Sequence, residues 1–211
     1  QANPELLGLS LVFEANALDG KDELFAGQAE LGSNDKGRFA LYWSQPTPGK
    51  VTSMALPESD MADTSAGPIG EPANAWFTCP RTSLKPCVIE PYFYKIDGQD
   101  VLMTSIVFPL MVNGKVIASL SVDINLNSLQ SISQAASKKL YDGQTHVSII
   151  SPVGLLAGYS PDSSKLSQRL DSIDKSSGAE LIRLLATSDK TASLHSDQQL
   201  KVLAPFEPIP G

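Results

Sequence analysis

The chain has 211 residues, enough for one large domain or two small ones with real cores. Hydrophobic residues at 42% and charged residues at 18% exclude an extended disordered chain. A formal charge of -7, with no basic cluster longer than Lys138-Lys139, excludes a nucleic-acid partner, whose phosphates need a basic surface.

No apolar run reaches the roughly 18 to 20 residues that span a bilayer, and no signal-peptide pattern opens the sequence. Starting at Gln1 without a Met and stopping at Gly211, the chain reads as a piece of a longer protein, with any membrane segment outside it. Leu9 to Phe13 reads as a strand ending near the Asp19-Gly20 turn, and Arg38 to Trp43 as a second strand. Ser44 to Asn74 is dense in Pro, Gly, Ser and Ala, so a long functional loop is expected, with a short helix around Asp60 to Asp63. Trp76 and Phe77 fall in the loop that follows.

Cys79 and Cys87 are the only cysteines, and the only histidines, His146 and His195, are distant in sequence. A zinc site would want four ligands, so no metal is expected. A disulfide is favoured over free thiols, which would place the chain in an oxidising compartment such as a bacterial periplasm.

Asp97-Gly98 and Asn113-Gly114 supply the positive φ angles of tight hairpins and divide the next stretch into three antiparallel strands: Tyr92 to Lys95, Val101 to Pro109 and Lys115 to Ile124. Alternation puts Val116, Ala118, Leu120, Val122 and Ile124 on one face of the last strand and Ile117, Ser119, Ser121 and Asp123 on the other. That second row either faces water or leaves room for a ligand held by Asp123. Asn127 to Leu140 has a helical pattern, with Leu129, Ile132, Ala136 and Leu140 on one face, Asn127 as cap and Lys138-Lys139 at the carboxyl end.

From Thr145 a simpler plan follows: a hairpin of Thr145 to Ile150 and Leu155 to Tyr159, a helix over Ser177 to Thr187, and strands at Ala192 to His195 and Leu200 to Pro205. The fold class expected is α+β, with modules at 1–126 and 145–211 joined by a helix over 127–144.

The Trp-aromatic pair Trp76-Phe77, then Glu90-Pro91-Tyr92 and Val122-Asp123-Ile124 at a strand end, resemble the double Cache sensor family over nearly the whole chain. The resemblance implies two stacked PAS-like modules, each an antiparallel sheet flanked by helices, beside a long amino-terminal helix that is mostly absent here. It implies the periplasmic, ligand-binding part of a chemoreceptor that spans the inner membrane, a homodimer in the receptor, with the ligand in the first module. Amino-acid-binding members carry a Tyr, an Arg five residues later and a Trp-Tyr pair, then a Tyr and an Asp that hold the ligand's ammonium. The last two match Tyr94 and Asp123, and the aromatic pair matches Trp76 and Phe77, but the carboxylate clamp falls on Ile69 and Asn74. Asn cannot supply the charge of a guanidinium, so an α-amino acid is disfavoured.

The amine-binding branch keeps the acid at Asp123 and has a second where this chain has Tyr94, a role open here to Glu90 or Asp60. Trp76, Phe77, Tyr92 and Tyr94 with Asp123 and Asn74 suit a flat nitrogen heterocycle, and a purine ranks slightly above a biogenic amine or polyamine. Each assignment has a plainer reading. Trp76 and Phe77 can be local core, Asp123 can cap the turn into the next helix, and Glu90 reads first as a solvated or structural carboxylate.

No nucleophile elbow, paired-His motif, phosphate loop or dinucleotide fingerprint occurs, so neither an enzyme nor a cofactor is expected. A receptor for a solute-binding protein is the third alternative, and would show as a filled core in the first module.

Overall fold

Alternation of apolar and small polar side chains builds a six-stranded antiparallel sheet in the first part of the chain. In this computed structural model, residues 6–47, 49–67, 69–96, 98–187, 192–196 and 199–204 are described. The chain divides into two units, Gln1–Asn125 and Leu126–Gly211.

The first unit contains β1 (Leu6–Phe13), β2 (Ala40–Thr47), β3 (Lys50–Ala55), α1 (Glu58–Ala62), α2 (Ala75–Ser83), β4 (Cys87–Ile96), β5 (Gln99–Val112) and β6 (Lys115–Asn125). The sheet order is β3-β2-β1-β6-β5-β4, so the strands nearest the two ends of this unit, β1 and β6, lie side by side at its centre. Gly8 stands opposite Asp123 and Ser10 opposite Ser121 across that seam. The β4-β5-β6 meander follows its turn signals, although Asp97 of the first turn lies outside the described residues. Pro109 is tolerated in β5 because β4 begins at Cys87 opposite Val107 and leaves the end of β5 with one neighbour.

Two elements of this unit differ from expectation. The stretch assigned to a loop contains β3, whose exposed residues carry no alternation to read. Trp76 and Phe77 lie on α2, not in a loop; Pro80 inside that helix and a weak apolar stripe hide it. The serine row of β6 faces inward, with Ser119, Ser121 and Asp123 all buried. On that side Leu7, Val12, Ala40, Tyr42, Leu56, Met61, Phe77, Ile96 and Met103 form the core.

The second unit contains α3 (Leu126–Lys139), a hairpin of β7 (Ser148–Ile150) and β8 (Leu156–Tyr159), α4 (Leu170–Ile173), α5 (Gly178–Thr187) and a hairpin of β9 (Ala192–Ser196) and β10 (Gln199–Leu203). The helix starts at Leu126, so Asn127 sits in its first turn and is not its cap. Its buried face is Leu126, Gln130 and Ser133, while Ile132 and Leu140 are exposed. The expected apolar face is therefore corrected: α3 docks by polar pairing. The Gln130 amide donates to the Tyr159 carbonyl at 2.8 Å and accepts from the Tyr159 N–H at 2.7 Å, so one side chain grips both backbone groups of that residue at the end of β8. Leu156, Leu170 and Leu181 form the core of this unit. The end of the last expected strand, at Pro205, lies outside the described residues.

Candidate functional site

Asp123 is the floor of a pocket on the inner face of the first unit's sheet. Its Oδ1 accepts the Ser105 hydroxyl at 2.7 Å and the Ser121 hydroxyl at 2.8 Å. Since Ser105 donates to Asp123, its oxygen is free to accept the Tyr92 hydroxyl at 2.8 Å, giving an ordered relay from Tyr92 through Ser105 to the carboxylate. Burial pushes the Asp123 carboxyl above its ordinary pKa, and the hydroxyls of Ser105, Ser121 and Tyr42 pull the other way. The Tyr42 hydroxyl faces Asp123 and helps to hold its charge, without reaching full hydrogen-bond geometry to any group. Burial pushes the tyrosine hydroxyls up in turn, helped by the Asp123 charge at Tyr42 and Tyr92 and by Asp60 at Tyr94, so all three are neutral.

The pocket is lined by Ser10, Tyr42, Leu56, Trp76, Tyr92, Tyr94, Met103, Ser121 and Asp123. No Lys, Arg or His is among them. Tyr42 and Tyr94 meet edge to face with ring centroids 5.9 Å apart. The Tyr94 hydroxyl donates to Asp60 Oδ2 of α1 at 3.2 Å, which sets a second acid beside the pocket wall. Burial also raises the Asp60 pKa, opposed by the Tyr94 and Ser59 hydroxyls. The space left among the side chains is about 20 Å³, room for one water-sized group.

Of the residues singled out from sequence, Asp123, Tyr94, Tyr92 and Trp76 are brought together on this pocket. Phe77, Asn74 and Glu90 are not on its wall. Phe77 is core, with the Arg81 guanidinium 4.5 Å and the Arg38 guanidinium 5.5 Å from its ring centroid. The buried Asn74 amide donates to the Met61 carbonyl at 2.7 Å and so fastens α1. Sequence reasoning missed Tyr42, Ser10, Leu56 and Met103. The one trace of Tyr42 was Gly8: a Cβ there would lie 2.4 Å from the Tyr42 hydroxyl oxygen.

Cys79 and Cys87 form a disulfide across a separation of 8 residues. It ties α2, which carries Trp76, to the first residue of β4, which carries Tyr92 and Tyr94. Loop-closure entropy for so short a ring is worth about 2.5 kcal/mol. The Cys79→Ser, Cys87→Ser double variant is expected to lose about that much stability in urea unfolding. A loss below a few tenths would mean that the bond does not constrain the unfolded chain.

A buried acid under aromatic walls stands on an antiparallel sheet followed by a second α+β unit, and the class of protein that this architecture belongs to is a sensor domain. Residues 13–131 match the family model described as methyl-accepting chemotaxis protein-like, first PDC sensor domain, and the chain belongs to that family. That family is one of signalling sensor domains and not of enzymes. Over 210 residues, all of this chain, it is 53% identical to the methyl-accepting chemotaxis protein TlpQ of Pseudomonas aeruginosa, of whose length it spans 29%. The solved structure of methyl-accepting chemotaxis protein X matches with a TM-score of 0.67 and 25% identity, over 96% of this chain and 70% of that one. The extracellular domain mmHK1S-Z3 matches with a TM-score of 0.70 and 24% identity, over 91% of this chain and 63% of that one, which speaks for the fold alone. Among the described residues no helix is long and apolar enough to cross a membrane.

Proposed function

We propose that the first unit binds a small organic amine as its cation, with the ammonium on Asp123 and the aromatic walls around its carbon skeleton. One observation carries this reading: a buried carboxylate stands in a pocket whose lining holds no basic residue. Removing a carboxylate from water without a counter-charge is costly, and serine and tyrosine hydroxyls offset only part of that cost. A ligand ammonium completes the pairing, and tyrosine and tryptophan faces attract it further. Asp60, one hydroxyl beyond Tyr94, supports an amine with a second positive end.

The same lining, with Asp60 behind it, argues against an amino acid, whose carboxylate would meet these acids with no guanidinium to hold it. A purine is the second reading: Trp76, Tyr92 and Tyr94 can stack on a flat ring while Asp123 accepts a ring N–H. It leaves the acid without a counter-charge, so the amine ranks first. A core nearly filled at rest also suits a partner protein in place of a ligand, but nothing in that role explains keeping an ionisable group at the centre. The small resting space means that the walls move apart to admit a ligand and close over it. That two-state change is what a chemoreceptor would transmit from the periplasm across the inner membrane, as a homodimer of double Cache sensors.

Calorimetry with amines, purines and amino acids tests the assignment, backed by thermal shifts, since a ligand of the folded state raises its melting temperature. Amine binding is expected. It is also expected to weaken as pH falls through the raised Asp123 pKa, because protonation removes the charge the ammonium pairs with. Binding by purines alone, with no such pH dependence, would reverse the ranking, and silence across all classes would favour a partner protein.

A further inference from the structure

The short helix α1 is pinned at both ends by groups that lie off the pocket wall. At its start, Glu58 Oε1 accepts from the Arg38 guanidinium at 2.7 Å and Oε2 accepts from the Asn34 amide at 2.9 Å. The Glu58 N–H donates to Asp35 at 2.8 Å. Arg38 is itself held: it donates to the Phe13 carbonyl at 3.3 Å, lies over the Phe77 ring, and its N–H reaches Asn34 Oδ1 at 3.1 Å. At the other end Asn74 takes the Met61 carbonyl with its amide, and the Asp63 carbonyl with its backbone N–H at 2.9 Å. Between these fixings stands Asp60, whose carboxylate meets Tyr94.

Five residues cannot hold a helix in water, so the fixings decide where Asp60 points. The Arg38 and Glu58 side chains are only 12% and 26% exposed, which gives their ion pair a firmer geometry than a surface pair has. Asn74 and Phe77, marked from sequence as ligand contacts, touch α1 and Arg38 respectively.

We propose that Arg38 and Glu58 are positioning residues: by fixing α1 they hold Asp60 as the second acid of the amine site and so set its preference for a diamine over a monoamine. This rests on the amine reading above. A merely structural brace would weaken all ligands alike when loosened, whereas a brace aimed at Asp60 affects only ligands long enough to use it.

The test is calorimetry on the whole domain with short α,ω-diamines and the straight-chain monoamines of equal carbon number. Glu58→Gln is the main variant, because Gln keeps an acceptor oxygen and can serve Asn34 or Arg38 but not both; Arg38→Gln is the second. The wild-type domain is expected to prefer the diamine. Glu58→Gln should lower diamine affinity roughly tenfold while leaving monoamine affinity within about twofold. Asp60→Asn should show the same split, and the Glu58→Gln, Asp60→Asn double variant no more than Asp60→Asn alone. Equal loss for both amines, an unchanged preference, an additive double variant, or a wild-type domain indifferent to the second ammonium would each overturn the proposal. A wild-type domain that binds no amine at all would instead remove the amine reading beneath it.

Discussion

Asp123→Asn is expected to weaken amine binding by at least roughly a hundredfold, about 3 kcal/mol, while leaving the domain folded and more stable without ligand. Asn keeps an oxygen where Oδ1 accepts the Ser105 and Ser121 hydroxyls, so the relay from Tyr92 persists. Only the charge is lost. Wild-type affinity in the variant would take Asp123 out of the site, whatever its burial.

The stability half of the prediction has a definite sign. Burial raises the folded-state pKa of Asp123 above its unfolded value, so the folded chain holds this proton more tightly. Ionised Asp123 therefore subtracts from stability above the folded pKa, and the penalty is relieved as pH falls from there toward the unfolded value. Asp174 in the second unit has the opposite sign. Although desolvation opposes it, bonds from Lys201 at 2.6 Å and from Ser177 and Ser176 hold its carboxyl well below the usual range. Its contribution is present above the unfolded pKa and disappears as pH falls through the depressed one. Thermal scans of wild type and Asp123→Asn should converge as pH falls through the Asp123 pKa. A constant gap at all pH values would show that the carboxylate is not the source of the strain.

How far the site was legible from sequence depends on where its parts lie in the chain. Tyr92, Tyr94 and Asp123 belong to one meander, and hairpin turns with period-two alternation fix such neighbours locally. Trp76 came with them through a motif resemblance, although α2 itself was invisible because Pro80 interrupts an already weak stripe. Tyr42 and Ser10 were beyond reach for a different reason. They meet Asp123 only because β1 inserts beside β6, a pairing between the two ends of the unit that no turn dictates. Asp60 was marked as one of two acids able to serve the site, but its neighbour Tyr94 is 34 residues away and the helix carrying it is short. Phe77 matched the motif and Asn74 stood where the motif has an arginine, yet both stand off the wall, since a motif reports that a residue matters near a site and not whether it touches the ligand.

Gly37→Ala is expected to destabilise the first unit by about 3 kcal/mol, although nothing at that position approaches the pocket. Gly37 has φ of 84°, in the left-handed region that a Cβ disfavours. A Cβ there would also lie 1.7 Å from the Asp22 carbonyl oxygen and 2.5 Å from its carbon. The contrast with Gly8 is instructive, because there the clash is with the far end of the Tyr42 side chain, which can swing away. At Gly37 the obstacle is backbone held in place: Asp22 and Asn16 bond each other reciprocally at 2.7 Å and 3.2 Å. The chain around residue 37 must therefore move, and it carries Asn34 and Arg38, which grip the Glu58 carboxylate. Urea unfolding should show a lower midpoint at unchanged slope, and the folded variant should have lost its preference for diamines. A stability change below about 0.5 kcal/mol would mean that the loop has room the packing does not suggest, and a lost preference without lost stability would mean that it steers α1 without holding the fold.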